Sequence, residues 1–169
     1  VFIDTDEDPV VVLDSSVFKP VWDVIKALRA HDEELGAQLD ELRRQLGRKG
    51  GRPGLPDKIH IDVPATVGKD FAAAFDAQLV EQTTAGWEFW YGLIDRYVEQ
   101  SGDARVPQEY RTADGFPLGT WVGKQRRLFI IGTLIEDRRQ RLDVLPGWSW
   151  NTLSDDWSDC YERTADYAR

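Results

Sequence analysis

Between Val21 and Leu46 the apolar positions fall into a seven-residue register. Val21, Leu28, Leu35 and Leu42 share one position and Ile25, Leu39 and Leu46 the other, with Asp32 the single polar intruder. That period predicts an amphipathic helix of nearly four heptads, which Gly36 weakens and can divide into a pair. Ser15 or Ser16 supplies a cap at its start, with Pro20 tolerated in the first turn. The stripe reads either as an arm or docking helix for a protein partner or as a face packed on the rest of the chain. GRKGGRPGLP, residues 47–56, has glycines, prolines and no apolar period, which marks a linker. In KIHIDVP, residues 58–64, Ile59, Ile61 and Val63 alternate with Lys58, His60 and Asp62, the pattern of a half-buried strand with His60 on its solvent side. Phe71, Ala74, Phe75 and Leu79 return to helical spacing, and Thr83 or Thr84 can cap the helix that follows.

The next stretch repeats. Trp87, Tyr91 and Tyr97 recur as Trp157, Tyr161 and Tyr167, each pair 70 positions apart. Such a period marks a supersecondary unit whose second copy begins near Asp155 and stops at the end of the chain. Within the first copy, Leu118, Trp121, Val122, Gln125, Leu128 and Phe129 follow the 3.6-residue period after the turn GFPLG, so a second helix starts near Leu118. A third helix over 134–145 carries Ile135, Leu142 and Leu145, and Pro146-Gly147 stops it before Trp148 and Trp150. The fold class is mainly α: a long helix or helical pair over 1–49, a short mixed linker and connector over 50–84 with one strand, a three-helix repeat over 85–153, and the first helix of another over 154–169.

Composition narrows the functions. The net charge of −9 argues against a protein that coats nucleic acid or anionic membrane with its whole surface. The imbalance is uneven, however: residues 1–84 hold 10 basic and 16 acidic side chains, whereas residues 85–153 hold 9 of each, which leaves room for a local basic face. One cysteine, Cys160, cannot form an internal disulfide and fits a reducing, cytoplasmic setting, and two histidines provide no zinc-ligand spacing. No apolar run approaches a membrane span. The absence of methionine, even at position 1, points to a piece of a longer protein. Neither VGKD (67–70) nor VGKQ (122–125) supplies the G-x-x-x-x-G-K-[ST] loop that cradles nucleotide phosphates. HDEE (31–34) is acidic but lies within the helical heptads, not at a strand end, so no metal or catalytic role is assigned to it.

Residues 85–153 resemble the helicase-associated domain family. The matching positions are Trp87, Tyr91, Leu93 or Ile94, Tyr97, Gly102 and Val106-Pro107. They continue with Gly115, Leu118, Gly119, Trp121, Val122, Gln125 and Arg126, and close with Arg138, Leu142 and Pro146 to Trp150. Residues 15–84, through FKPVWDVIKALRAHDEEL and LPDKIHIDVP, more weakly resemble the segment joining the second RecA-like motor domain to these repeats in actinobacterial helicases of the DEAD/DEAH superfamily. The resemblance implies a non-catalytic accessory region of an ATP-dependent helicase. ATP and Mg would then belong to the parent motor domains, which become partners in cis, and DNA or RNA would be the ligand.

The candidate nucleic-acid contacts follow from the helical faces. Lys124 and Arg127 share the face opposite the buried stripe, with Arg126 on its flank, and Arg138, Arg139 and Arg141 lie on the third helix. Free amides at the start of the second helix would add to an anion site. Arg105 and Arg111 flank the VPQEY connection and extend the patch. Tyr110 and Phe116, near loops, are candidates for base stacking, whereas Trp121 reads as core. Gln125 and Arg126 either hold the fold or touch the ligand. The rival function is a protein-interaction or structural module that uses the Val21 to Leu46 stripe to dock on the motor or on another protein.

Overall fold

The computed structural model describes Leu13 and residues 18–51, 54–60 and 69–151. Six helices lie among them: α1 (Lys19–His31), α2 (Glu33–Lys49), α3 (Lys69–Thr83), α4 (Gly86–Ser101), α5 (Leu118–Ile130) and α6 (Glu136–Asp143). The fold is mainly α, as the periodicity predicts. Ser15 and Ser16, the Ile61–Pro64 half of the expected strand, and the second aromatic copy from Asp155 all lie outside the described residues. The chain divides into two compact units, residues 1–96 and 97–169, and the division falls within α4.

In the first unit the long amphipathic segment is a helical pair, but the break falls at Asp32 and not at Gly36. Asp32 adopts an extended backbone (φ −125°, ψ 99°) and belongs to neither helix. Its amide donates to Leu28 O (2.9 Å), closing α1, and its carboxylate accepts from the Leu35 amide (3.0 Å), opening α2. The polar intruder of the heptad is thus an N-cap. The break also ends the continuous stripe. In α1 the buried side chains are Trp22 and Ile25, whereas Leu28 is 53% exposed and Val21 is only partly covered. In α2 Leu35 and Leu39 are buried, with Leu42 packed at their margin.

Phe71, Phe75, Leu79 and Val80 of α3 complete this core, together with Leu13 and Phe18. Phe18, Trp22, Phe71 and Phe75 form an aromatic cluster with ring centroids 5.1 to 6.3 Å apart. Such tilted and edge contacts favour aromatic pairs beyond the area they bury. Arg29 binds these helices together: Nη2 donates to both carboxylate oxygens of Asp40 (2.7 and 2.8 Å) and Nη1 donates to the Thr83 carbonyl. The hydroxyls of Thr83 and Thr84 each donate back to the carbonyl four residues earlier, Leu79 and Val80, and so finish α3.

No strand occurs among the described residues. Asp57 and Lys58 form a turn, with the Ile59 amide donating to Pro56 O (2.9 Å). A strand needs a ladder, and the described neighbours of this segment are helices. Lys58 is drawn to Asp32 (2.9 Å) and Glu34 (2.6 Å) at the start of α2, and Ile59 and Leu55 lean on the helical core. Further along the same unit α2 crosses α4 at two glycines. A Cβ on Gly47 would enter the Phe89 carbonyl, and one on Gly92 the Arg44 carbonyl, so the backbones meet without side chains between them. Arg43 lies over the Phe89 ring (5.2 Å) beside this crossing, and burial pushes its guanidinium below the ordinary arginine value.

Candidate nucleic-acid interface

The second unit is built around α5. Leu118, Trp121, Val122 and Gln125 are buried, and Leu128 and Phe129 lie at the margin, with Phe129 stacked on Trp150 (4.3 Å). Ala104 and Val106 from the preceding loop and Leu142 and Leu145 from α6 and its exit are also buried. The loop before α5 is held by backbone bonds. The Ala104 amide donates to Pro146 O (2.7 Å), and the turn closes through Thr112 and Phe116, with Gly115 at φ 86° where a side chain would be strained. The loop then passes directly over the helix: a Cβ on Gly119 would strike the carbonyl oxygens of Pro107 and Gln108. This explains the glycine of the L-G-x-W-V run in steric terms.

The expectation of open amides at the start of α5 is corrected. The Leu118 amide donates to Phe116 O (2.9 Å) and the Gly119 amide to Tyr110 O (3.1 Å), because the turn folds back on the helix start. An anion gains little there from these two donors.

The exposed side of α5 forms one wall of a groove of about 560 Å³, lined by Gln108, Thr120, Gly123, Lys124, Arg127 and Ile131 among others. Lys124 and Arg127 are exposed, and among the described residues neither has an ion-pair partner. The sequence placed both cations correctly on this face. It gave no sign that Gln108 would join them, because that depends on the loop crossing at Gly119.

The other candidate cations are differently engaged. Arg126 is partly buried, with Nε donating to Ser149 O (2.8 Å) and its guanidinium over the Trp148 ring (5.4 Å). It fastens the Pro146 to Trp150 exit to α5. Arg139 is held by Glu136 (2.6 and 2.8 Å) and Asp143 (2.8 Å) on its own helix. The Arg139 hydrogen bonds, followed by one from Gln140, draw the Glu136 carboxyl down to about 2. The Arg139–Glu136 pair therefore persists far below neutral pH. Arg141 approaches Asp137 (3.9 Å), Arg111 donates to Gly115 O (3.0 Å), and Arg105 offers its carbonyl to the Tyr97 hydroxyl (3.2 Å). Arg138 is partly buried. Tyr110 meets Tyr97 edge to face (4.8 Å), and Phe116 is exposed at the turn. Ile135, expected on the inner side of the third helix, is exposed because α6 begins only at Glu136.

Among the described residues no group of three His, Cys, Asp or Glu side chains is placed to hold a metal ion, and no helix is long and apolar enough to cross a membrane.

The described residues of this unit are helices and loops with two cations on one groove wall, and the family comparison is more specific. Residues 84–151 match the Helicase associated domain family. The matched segment contains α4, α5 and α6, in agreement with the resemblance read from its tryptophan and glycine positions. No curated protein and no solved structure matched the chain.

Proposed function

We propose that this chain is a non-catalytic nucleic-acid-binding accessory region of an ATP-dependent helicase, acting in the cytoplasm and contacting the phosphate backbone of DNA or RNA. The observation that carries this reading is the groove on α5, where Lys124 and Arg127 stand without ion-pair partners among the described residues of an acidic chain. A cation kept from carboxylates in such a sequence is available to a phosphate. Arg138, Arg141, Arg105 and Arg111 are further phosphate contacts in this reading. Arg126 and Gln125 support the groove from within the helical unit, and Tyr110 and Phe116 border the turn beside it. ATP and Mg act in the parent motor domains.

The test is fluorescence anisotropy of labelled oligonucleotides at several salt concentrations, comparing the wild-type chain with Lys124→Gln/Arg127→Gln and Lys124→Glu/Arg127→Glu. Binding to duplex DNA weakens steeply with salt. The double Gln variant lowers the slope of log K against log salt by about 1.8, because each phosphate contact contributes roughly 0.9. The Glu variant abolishes binding while its circular dichroism stays that of wild type. Binding untouched by either variant refutes the interface.

A second reading has its own observation. Val24 and Leu28 on α1 are 59% and 53% exposed, and Val21 lies beside them on the same helix. Val21 and Leu28 of the Val21 to Leu46 stripe, with Val24 beside them, support docking on the helicase motor or another protein partner. Apolar docking resists added salt, so the same titration separates the two readings.

A further inference from the structure

We propose that Gly123 is the seat of a single phosphodiester strand within a duplex, the point at which the nucleic-acid backbone comes nearest to helix α5. The proposal rests on the nucleic-acid reading of the groove and names both its ligand form and a positioning residue within it.

Gly123, like Gly36 of α2, lacks the packing explanation that three other helical glycines have. Gly47, Gly92 and Gly119 each have another segment's backbone where a Cβ would stand, so the fold itself demands glycine there. A Cβ on Gly123 would meet nothing within 4 Å. Glycine is the poorest helix former after proline, so an exposed glycine in the middle of a helix weakens it for no structural return. Its position gives the return. Thr120, Lys124 and Arg127 share the groove wall with Gly123, so the helix surface dips between a hydroxyl and two cations. The face from Thr120 to Arg127 runs about 10 Å along the helix. One strand of a duplex carries a phosphate every 3.4 Å or so of its axis, so two or three fit that span.

The groove wall also points to a duplex over a single strand. Non-specific single-strand sites combine cations with aromatic faces on which bases stack. Among the described residues no aromatic side chain lines this groove. Of the nearby rings, Tyr110 packs on Tyr97, Phe129 on Trp150, and Trp148 on Trp150 and Arg126, while the exposed Phe116 stands at the turn outside the groove lining. What remains is a cationic wall suited to a sugar-phosphate backbone whose bases are paired elsewhere.

The experiment compares Gly123→Ala and Gly123→Leu with the wild-type chain, using labelled duplex and single strands of equal length and sequence. Thermal melting is followed alongside. The expected result is a higher melting temperature for Gly123→Ala together with about tenfold weaker duplex binding. The added methyl lifts the strand from its charged donors, and one charge-assisted hydrogen bond is worth about that factor. Gly123→Leu weakens binding further, and the wild type prefers duplex to single strand. Duplex binding by Gly123→Ala within twofold of wild type overturns the seat while leaving the groove's function intact, provided the Lys124/Arg127 variants still lose binding. Single strands bound as tightly as duplex overturn the ligand form. No salt-sensitive binding by the wild type overturns the underlying reading and the seat with it.

Discussion

Two glycines four residues apart on α5 should respond to the same substitution with opposite signs. At Gly119 a methyl group enters the carbonyl oxygens of Pro107 and Gln108, which are backbone atoms and cannot swing aside as a side-chain end could. Relieving the clash moves the loop off the helix, an overpacking cost of about 1–3 kcal/mol. It also strains the Gly119 amide's bond to Tyr110 O (3.1 Å), worth about 1 kcal/mol. The better helix propensity of alanine returns at most about 1 kcal/mol. Gly119→Ala therefore destabilises the unit by about 2 kcal/mol on these terms. At Gly123 the methyl enters open space, only the propensity term operates, and Gly123→Ala stabilises by up to about 1 kcal/mol. Native-state hydrogen exchange of the α5 amides is the suitable assay because the chain has two units and a global melt would mix them. The amides of Gly119→Ala should exchange about thirtyfold faster, and those of Gly123→Ala up to about fivefold slower. Wild-type protection in Gly119→Ala would refute the loop crossing as the reason for that glycine.

Two further outcomes follow from charges the structure places. The Asp32 carboxyl is held below the ordinary aspartate value, first by the Leu35 amide and next by Lys58. A depressed folded-state value gives stability that is fully present above the unfolded value, near 4, and lost as pH falls through the folded one. Asp32→Ala should therefore melt below wild type at pH 7, with the gap shrinking as pH falls below about 4; a gap that does not shrink with acidification would remove the ionised cap as its cause. On α6, Arg139 is neutralised by Glu136 and Asp143, so Arg139→Ala should leave duplex affinity within about twofold, since a satisfied surface pair contributes little outside itself. A tenfold loss measured by anisotropy would place Arg139 in the interface.

The parts of the fold carried by period were legible: the start of α5, its buried side and the outward aim of Lys124 and Arg127. What misled was polar chemistry at helix ends, where one residue type serves two geometries. Asp32 fits a heptad as an intruder and fits a cap equally well. The charges around it distinguish the two, since Arg29 and His31 close α1 and Glu33 and Glu34 open α2, each sign matched to its helix dipole. Thr83 and Thr84 present the same ambiguity, because a threonine can cap the helix ahead or bond back to the turn behind. Over residues 58–60, the described part of the alternating pattern, the chain turns for another reason. Alternation describes one segment, whereas a strand needs a partner, and the described neighbours are helices. Gln108 was out of reach because its place in the groove depends on a loop contact between residues distant in sequence.

The net charge of −9 and a phosphate-binding groove are compatible because they act over different distances. The whole-chain field operates at long range and is screened within a Debye length of about 8 Å at physiological salt. Lys124 and Arg127 would meet phosphates at hydrogen-bond distance, where local geometry dominates. The negative field then opposes the approach of nucleic acid, while the groove determines how long it stays. For a region carried by a motor that is itself on the strand, approach is already supplied by the rest of the protein, and linkage raises the local concentration of the ligand. Weak intrinsic attraction with a few well-placed contacts is then sufficient. Under the proposed function, acidic surroundings would also discourage the region from coating nucleic acid at random and restrict contact to strands presented to α5.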